Sequence, residues 1–179
     1  GIIIKPEWVQ AAIDAHIKLG ISPTGKRISG LDIADEGLDK NALTSRKGIL
    51  IDFCESWNAP DVGVSARKAI QLSPTNESVE LFYDCIGVGA GVKSEANRLK
   101  AEKKLPANIA FHPWNASAKV LFPEKNILPG DKDSPLNKDH YANLKAQAWS
   151  VVATRFLKTW QAVTLGYSID PDDIVALDS

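Results

Sequence analysis

Two short apolar runs, each closing on an aspartate, set the tightest limits on how this chain can fold. Arg27-Ile28-Ser29-Gly30-Leu31-Asp32 leads into Ile33-Ala34-Asp35-Glu36-Gly37, and Val79-Glu80-Leu81-Phe82-Tyr83-Asp84 leads into Cys85-Ile86-Gly87-Val88-Gly89-Ala90-Gly91. Both read as strands, and a strand that ends on a carboxylate delivers it to one rim of a sheet. Two such strands side by side make a cradle of oxygen ligands, which suits magnesium or manganese. The pair therefore points to metal-dependent phosphate chemistry.

The chain has 179 residues, enough for one domain with its own core and no need of disulfides. An apolar fraction of 44% and a charged fraction of 24% are those of an ordinary globular protein, which argues against disorder and coiled coil. No apolar run is long enough to span a bilayer, and Gly1-Ile2-Ile3-Ile4 is too short for a secretory signal. Cys54 and Cys85 lie in apolar runs, so both are expected to be buried thiols in a reducing, cytoplasmic setting. The net charge of −1 lacks the basic excess of a generic DNA binder. Its placement is more telling: Asp32, Asp35, Glu36 and Asp39 cluster after the first run, while Lys93, Arg98, Lys100, Lys103 and Lys104 follow the glycine-rich turn. Methionine is absent, which fits a piece of a longer polypeptide.

Along the chain, Pro6 opens a helix whose apolar residues Trp8, Ala12, Ala15 and Leu19 recur until Gly20, so residues 1–20 read as a lead-in helix and 21–179 as the domain proper. Residues 27–32, 42–46 and 48–57 read as three consecutive strands in an antiparallel meander. A helix over 64–72, a strand at 79–84, a helix over 92–104 and a strand at 109–111 follow. A long helix is expected over 139–163 with Asp139 as its N-cap. Before it, residues 123–135 hold three prolines in a loop longer than most, the kind that is functional or mobile. This order suits an α/β fold of the ribonuclease-H-like type: a mixed sheet of about five strands flanked by helices on both faces.

Phosphodiester hydrolysis needs an activated water, neutralisation of charge on the phosphate and help for the leaving oxygen, and two metal ions about 3.5–4 Å apart supply all three. Asp32 and Asp84 are the candidate ligands, though a lone strand-end aspartate is more often a solvated turn-former. Asp35 and Glu36 are auxiliary candidates, or else they cap a hairpin with Gly37. The glycines at 87, 89 and 91 do not make a nucleotide site. A P-loop needs glycine where Val92 precedes Lys93, and the dinucleotide fingerprint needs its third glycine at Val92. Their better use is a tight turn from strand into helix, with Lys93 near a phosphate. His16, His112 and His140 have no zinc-ligand spacing, and the five tryptophans are assigned to packing first.

With Gly30-Leu31-Asp32-Ile33-Ala34-Asp35-Glu36-Gly37-Leu38-Asp39-Lys40-Asn41-Ala42, the chain resembles the nuclease domain of the large terminase subunit of tailed, headful-packaging bacteriophages. Tyr83-Asp84 with Gly87-Val88-Gly89-Ala90-Gly91-Val92 resembles that family's second metal strand and its turn. Trp114-Asn115-Ala116-Ser117 resembles the segment after its fifth strand, and Asn143-Leu144-Lys145-Ala146-Gln147-Ala148-Trp149 with Arg155-Phe156 its long helix. These segments keep the family's order over most of the chain.

The resemblance implies an endonuclease of ribonuclease-H-like fold that cuts concatemeric double-stranded DNA with little sequence preference, using magnesium or manganese at Asp32 and Asp84. An ATPase domain precedes this domain in the family, and the portal protein and small terminase subunit are its other partners. The setting would be the host cytoplasm, transiently at the procapsid portal, with no membrane. The family's third carboxylate sits on a later segment without a counterpart before Ser179, so the domain's C-terminal part is expected to be missing; Asp172 and Asp173 are substitutes on analogy with more distant terminases. The isolated chain is accordingly expected to cut weakly with magnesium and better with manganese. Lys93, Arg98 and Lys145 are candidate DNA contacts. Two rival readings are another ribonuclease-H-like nuclease, such as a resolvase, and a catalytically silent docking module of the packaging machine.

Overall fold

The computed structural model describes residues 3–34 and 39–179. Strands β1 (Arg27–Asp32), β2 (Asn41–Lys47) and β3 (Leu50–Trp57) form the antiparallel meander that their succession implied. The chain then crosses over, and β4 (Val79–Asp84) pairs parallel with the other edge of β1, followed outward by β5 (Ile109–Trp114), also parallel. A two-residue strand, β6 (Ala176–Leu177), runs parallel to the start of β3 and completes the order β5-β4-β1-β2-β3-β6. The sheet thus has six strands rather than about five, because a two-residue strand carries no periodic signal.

One face of this sheet is covered by α3 (Val62–Leu72) and α4 (Ala90–Ala101). Alternation along each strand sends Leu31, Leu43, Val79, Leu81 and Tyr83 to that face, where they meet Ala66 and Ala69 of α3 and Val92 of α4. Small alanines let α3 lie close to the strands. Each fully buried aliphatic side chain here contributes about 1.5–3 kcal/mol. Asp61 caps α3, its carboxylate accepting the Val64 amide at 2.8 Å.

A bulge decides what covers the other face. Between Ser45 and Arg46 the register slips, so that Phe53 opposes Ser45 but Ile51 opposes Arg46. The extra residue reverses the parity of β3: Phe53 stays with the first core, and Ile51 turns to the opposite face. There Ile51 joins Trp8 and Ala12 of α1 (Pro6–Ala12), Phe156 of α6 (Leu144–Leu165), and Val175 and Leu177. The sheet therefore has helices on both faces, but those of the second face gather at the β3–β6 corner. Over β1 and β4 this face is open: Gly30 has free space above it and Phe82 is exposed.

Several elements differ from the sequence reading. The lead-in helix is two, α1 and α2 (Ala15–Lys18), broken at Asp14 in the left-handed region (φ 54°), and it is built into the second core. The long helix does not start at Asp139. A short α5 (Asn137–His140) ends before Tyr141, and Asn143 caps α6 by accepting the Ala146 amide at 2.9 Å. The proline-rich excursion is tied back on itself by Ile127 donating to Pro135 O (2.9 Å) and Asn137 to Lys125 O (2.8 Å). Cys54 is exposed rather than buried, because strand parity places it on the open face beside Thr44. Trp149 is exposed on α6 rather than packed. Among the described residues no helix is long and apolar enough to cross a membrane.

Candidate metal centre

The parallel pairing of β1 with β4 brings the two carboxylates together. Its last register pair is Leu31 with Tyr83, so Asp32 and Asp84 follow one residue later on strands about 4.8 Å apart. Both turn away from the Leu31 and Tyr83 face, onto the open face of the sheet. Asp32 also stands opposite Ala42, and Asp84 opposite Trp114, which puts the pair at the centre of the carboxyl-end rim.

The chain leaving each strand is held in place. After β1, the Ala34 amide donates to the side-chain oxygen of Asn41 (3.2 Å), whose amide nitrogen donates to Trp57 O (3.3 Å). Asn41 is buried, and it orients the backbone just beyond Asp32. Sequence reasoning passed over it; a polar residue in the apolar start of β2 was the available signal. After β4, Asp84 accepts the Ile86 amide at 3.1 Å, and a single 3-10 turn (Gly87–Gly89) runs straight into α4. Gly89 is needed for space: a Cβ there would collide with the Asp84 carbonyl.

Among the described residues, no lysine, arginine or histidine forms an ion pair with Asp32 or Asp84. Two adjacent carboxylates without a protein cation, offering oxygen alone, fit a hard divalent ion. Among the described residues they are not joined by a third acid, histidine or cysteine into a larger cluster. Asp35 and Glu36 lie outside the described residues. Asp172 and Asp173 are not brought to this rim. They sit in a 3-10 turn (Pro171–Asp173) before β6, which pairs with the start of β3, whereas Asp32 is level with the end of β3. The seven steps of β3 put roughly 20 Å between them, and Asp173 is paired with Lys158 at 2.5 Å, which holds its carboxyl below the usual range.

The basic candidates divide in the same way. Lys93 is exposed on the first turn of α4, next to the strand end that carries Asp84. Lys145 is exposed on the first turn of α6, and its amide donates to Ala116 O (3.0 Å), two residues beyond the partner of Asp84 on β5. The Leu144 amide bonds Ala118 O (2.8 Å), so the 114–117 and 143–149 motifs, separate in sequence, form one junction. Arg98 is engaged by acids of its own helix, Glu95 (2.7 Å) and Glu102 (2.5 Å).

A mixed sheet of this order, with paired acids at its central rim and helices on both faces, defines a ribonuclease-H-like nuclease fold. The comparisons bear this out and specify the kind: over 99% of its length the chain is similar to the nuclease domain of the large terminase subunit gp2 of bacterial virus Sf6, with a TM-score of 0.85, 29% identity and 74% of that chain covered. A mutant of that domain with manganese and β-thujaplicinol matches to the same extent. A mutant with calcium matches with a TM-score of 0.84, 29% identity and the same coverage. The motif-based resemblance to terminase nuclease domains therefore extends to the whole fold. No family model matches the chain, and no curated protein does.

Proposed function

We propose that this chain is a metal-dependent endonuclease domain of a viral DNA-packaging motor, which cuts concatemeric double-stranded DNA by two-metal-ion hydrolysis. The observation that carries the reading is the β1–β4 register, which sets Asp32 beside Asp84 on the open face of a terminase-type sheet. The oxygen-only pair suits a hard cation such as magnesium or manganese, and the neighbours' structures contain manganese and calcium. Bound there, such ions would supply a polarised water and neutralise charge on the scissile phosphate.

The chain's own residues do the rest. Asp32 and Asp84 hold the cations, Asn41 and Gly89 fix the strand ends they stand on, and Lys93 and Lys145 flank the rim where a phosphate backbone would lie. Contacts of that kind read no bases, which suits a nuclease that cuts wherever packaging stops. With a net charge of −1, affinity for DNA is weak in isolation, and an attached ATPase domain, the portal and a small terminase subunit would raise the local concentration. The working place would be the host cytoplasm at the procapsid portal.

The test pairs calorimetric titration with manganese and a plasmid-nicking assay on the wild type, Asp32→Asn and Asp84→Asn. Expected are manganese binding by the wild type, its loss in both variants, and nicking that falls at least about a hundredfold. Nicking that survives both substitutions unchanged would overturn the assignment, and manganese binding without any nicking under motor-like conditions would favour the silent docking module.

A further inference from the structure

A cavity of about 360 Å³ opens at the other end of the sheet, and two arginines converge on it. Its floor is the β2–β3 hairpin. Gly48 turns there with φ +55°, and a Cβ at this position would collide with the Thr24 carbonyl, so the 22–26 segment presses against the hairpin. Arg46, on β2, reaches into the cavity and donates to Gly48 O at 2.5 Å. Arg155, midway along α6, enters from the opposite wall and donates to the carbonyls of Asp172 and Ile174. Ser22 and Thr24 bring hydroxyls to the same lining.

Each guanidinium has five N–H donors, and the hydrogen bonds of both go to neutral carbonyls. Among the described residues neither forms an ion pair. Asp172 contributes to the lining, and the nearby Asp173 carboxylate is engaged by Lys158. Partial burial, and then the charge of Arg155, push the Arg46 guanidinium below its usual pKa, while the Asp173 carboxyl is held down chiefly by Lys158 and only secondarily by Arg155.

We propose that Arg46 and Arg155 form a binding site for a phosphate group, separate from the carboxylate rim, with Ser22 and Thr24 completing its polar lining. A tetrahedral oxyanion neutralises both cations and takes the forked donors of each, the pairing in which arginine is strongest. Position favours a phosphate of a DNA backbone. Arg46 is the cross-strand partner of Ile28, four residues before Asp32 and on the same face of the sheet. That is about 13 Å along the strand, or about four nucleotides of one DNA strand at 3.4 Å each. The anion site stands on its own geometry; only its assignment to DNA rests on the nuclease reading.

The test measures the thermal midpoint of the wild type, Arg46→Gln, Arg46→Lys, Arg155→Lys and Asp32→Asn with inorganic phosphate against chloride at equal ionic strength. Phosphate should stabilise the wild type and Asp32→Asn, act at least about tenfold more weakly on Arg46→Gln, and act in between on the two lysine variants. No phosphate effect on the wild type, or an equal effect on Arg46→Gln, overturns the site. Duplex-DNA binding against salt then separates the sources. A slope smaller by about 1 in Arg46→Gln assigns the site to the DNA backbone, and an unchanged slope beside a lost phosphate effect assigns it to free phosphate. Loss of nicking in Asp32→Asn is scored independently, so failure of either reading is visible without the other.

Discussion

The Ala34 amide donates to the side-chain oxygen of Asn41, two residues beyond Asp32, and so ties the exit of β1 to the start of β2. Asn41 is only 4% exposed, and the same side chain also reaches Trp57 O, so it joins three strands at the rim that carries the carboxylates. Asn41→Ala strands a buried amide and a carbonyl, with an expected loss of about 1–3 kcal/mol. Thermal melting should show a fall of about 2–12 °C, and manganese affinity should fall with it. A variant that melts with the wild type would mean that Asn41 does not position this strand end.

Asp32 and Asp84 repel each other when no cation lies between them. Asp32→Asn is therefore expected to gain about 0.2–1 kcal/mol in chelator-treated protein. Manganese should reverse the order: at a hundredfold excess over its dissociation constant it would stabilise the wild type by about 2.7 kcal/mol and leave the variant unmoved. Melting curves with and without the ion check both signs.

Gly89 has an ordinary helical φ of −60°, so its role is space rather than conformation. Gly89→Ala must push the Asp84 backbone away, at a cost of about 1–3 kcal/mol. Circular-dichroism melting measures the cost. On the proposed reading, a parallel manganese titration should show weakened binding, since the displaced carbonyl belongs to Asp84, the second proposed ligand.

Glu95 joins α4 to α3. A hydrogen bond from Arg98 chiefly, aided by Arg67 at 2.5 Å and opposed by burial, holds its carboxyl down from 4.5 to about 2. The folded-state value lies below the unfolded one, so the stabilisation is complete above pH 4.5 and is lost as the pH falls towards 2. Glu95→Gln should be destabilised at pH 7 by about 1.5–3 kcal/mol, with the gap to the wild type closing near pH 2. Parallel melting curves across pH would contradict this.

What the sequence determined by itself is local. The alternation in 27–32 and 79–84 made the central strands legible, their final aspartates marked one rim, and the glycines after the second strand read as a tight turn into a helix once the nucleotide motifs failed. The 143–149 and 114–117 segments could be matched to known motifs but not joined, because the bonds of Leu144 to Ala118 and Lys145 to Ala116 span distances no periodicity encodes. Asp139 and Asn143 are both good caps by residue type, but the chain turns extended at Tyr141 and the free amides of Leu144 and Lys145 find the carbonyls of Ala118 and Ala116, so α6 starts at the second.

Tertiary structure alone decided the rest. Parallel pairing of β1 with β4 is a choice between strands 52 residues apart at their starts, and only that choice makes two aspartates neighbours. A one-residue bulge in β3 is invisible in composition, yet it reverses the parity of the strand before Phe53 and sends Ile51 to the second core. The pairing of β6 with the start of β3 separates Asp172 and Asp173 from the rim. Local patterns can say which face of a strand is apolar; which strand lies beside it depends on packing the whole sheet at once.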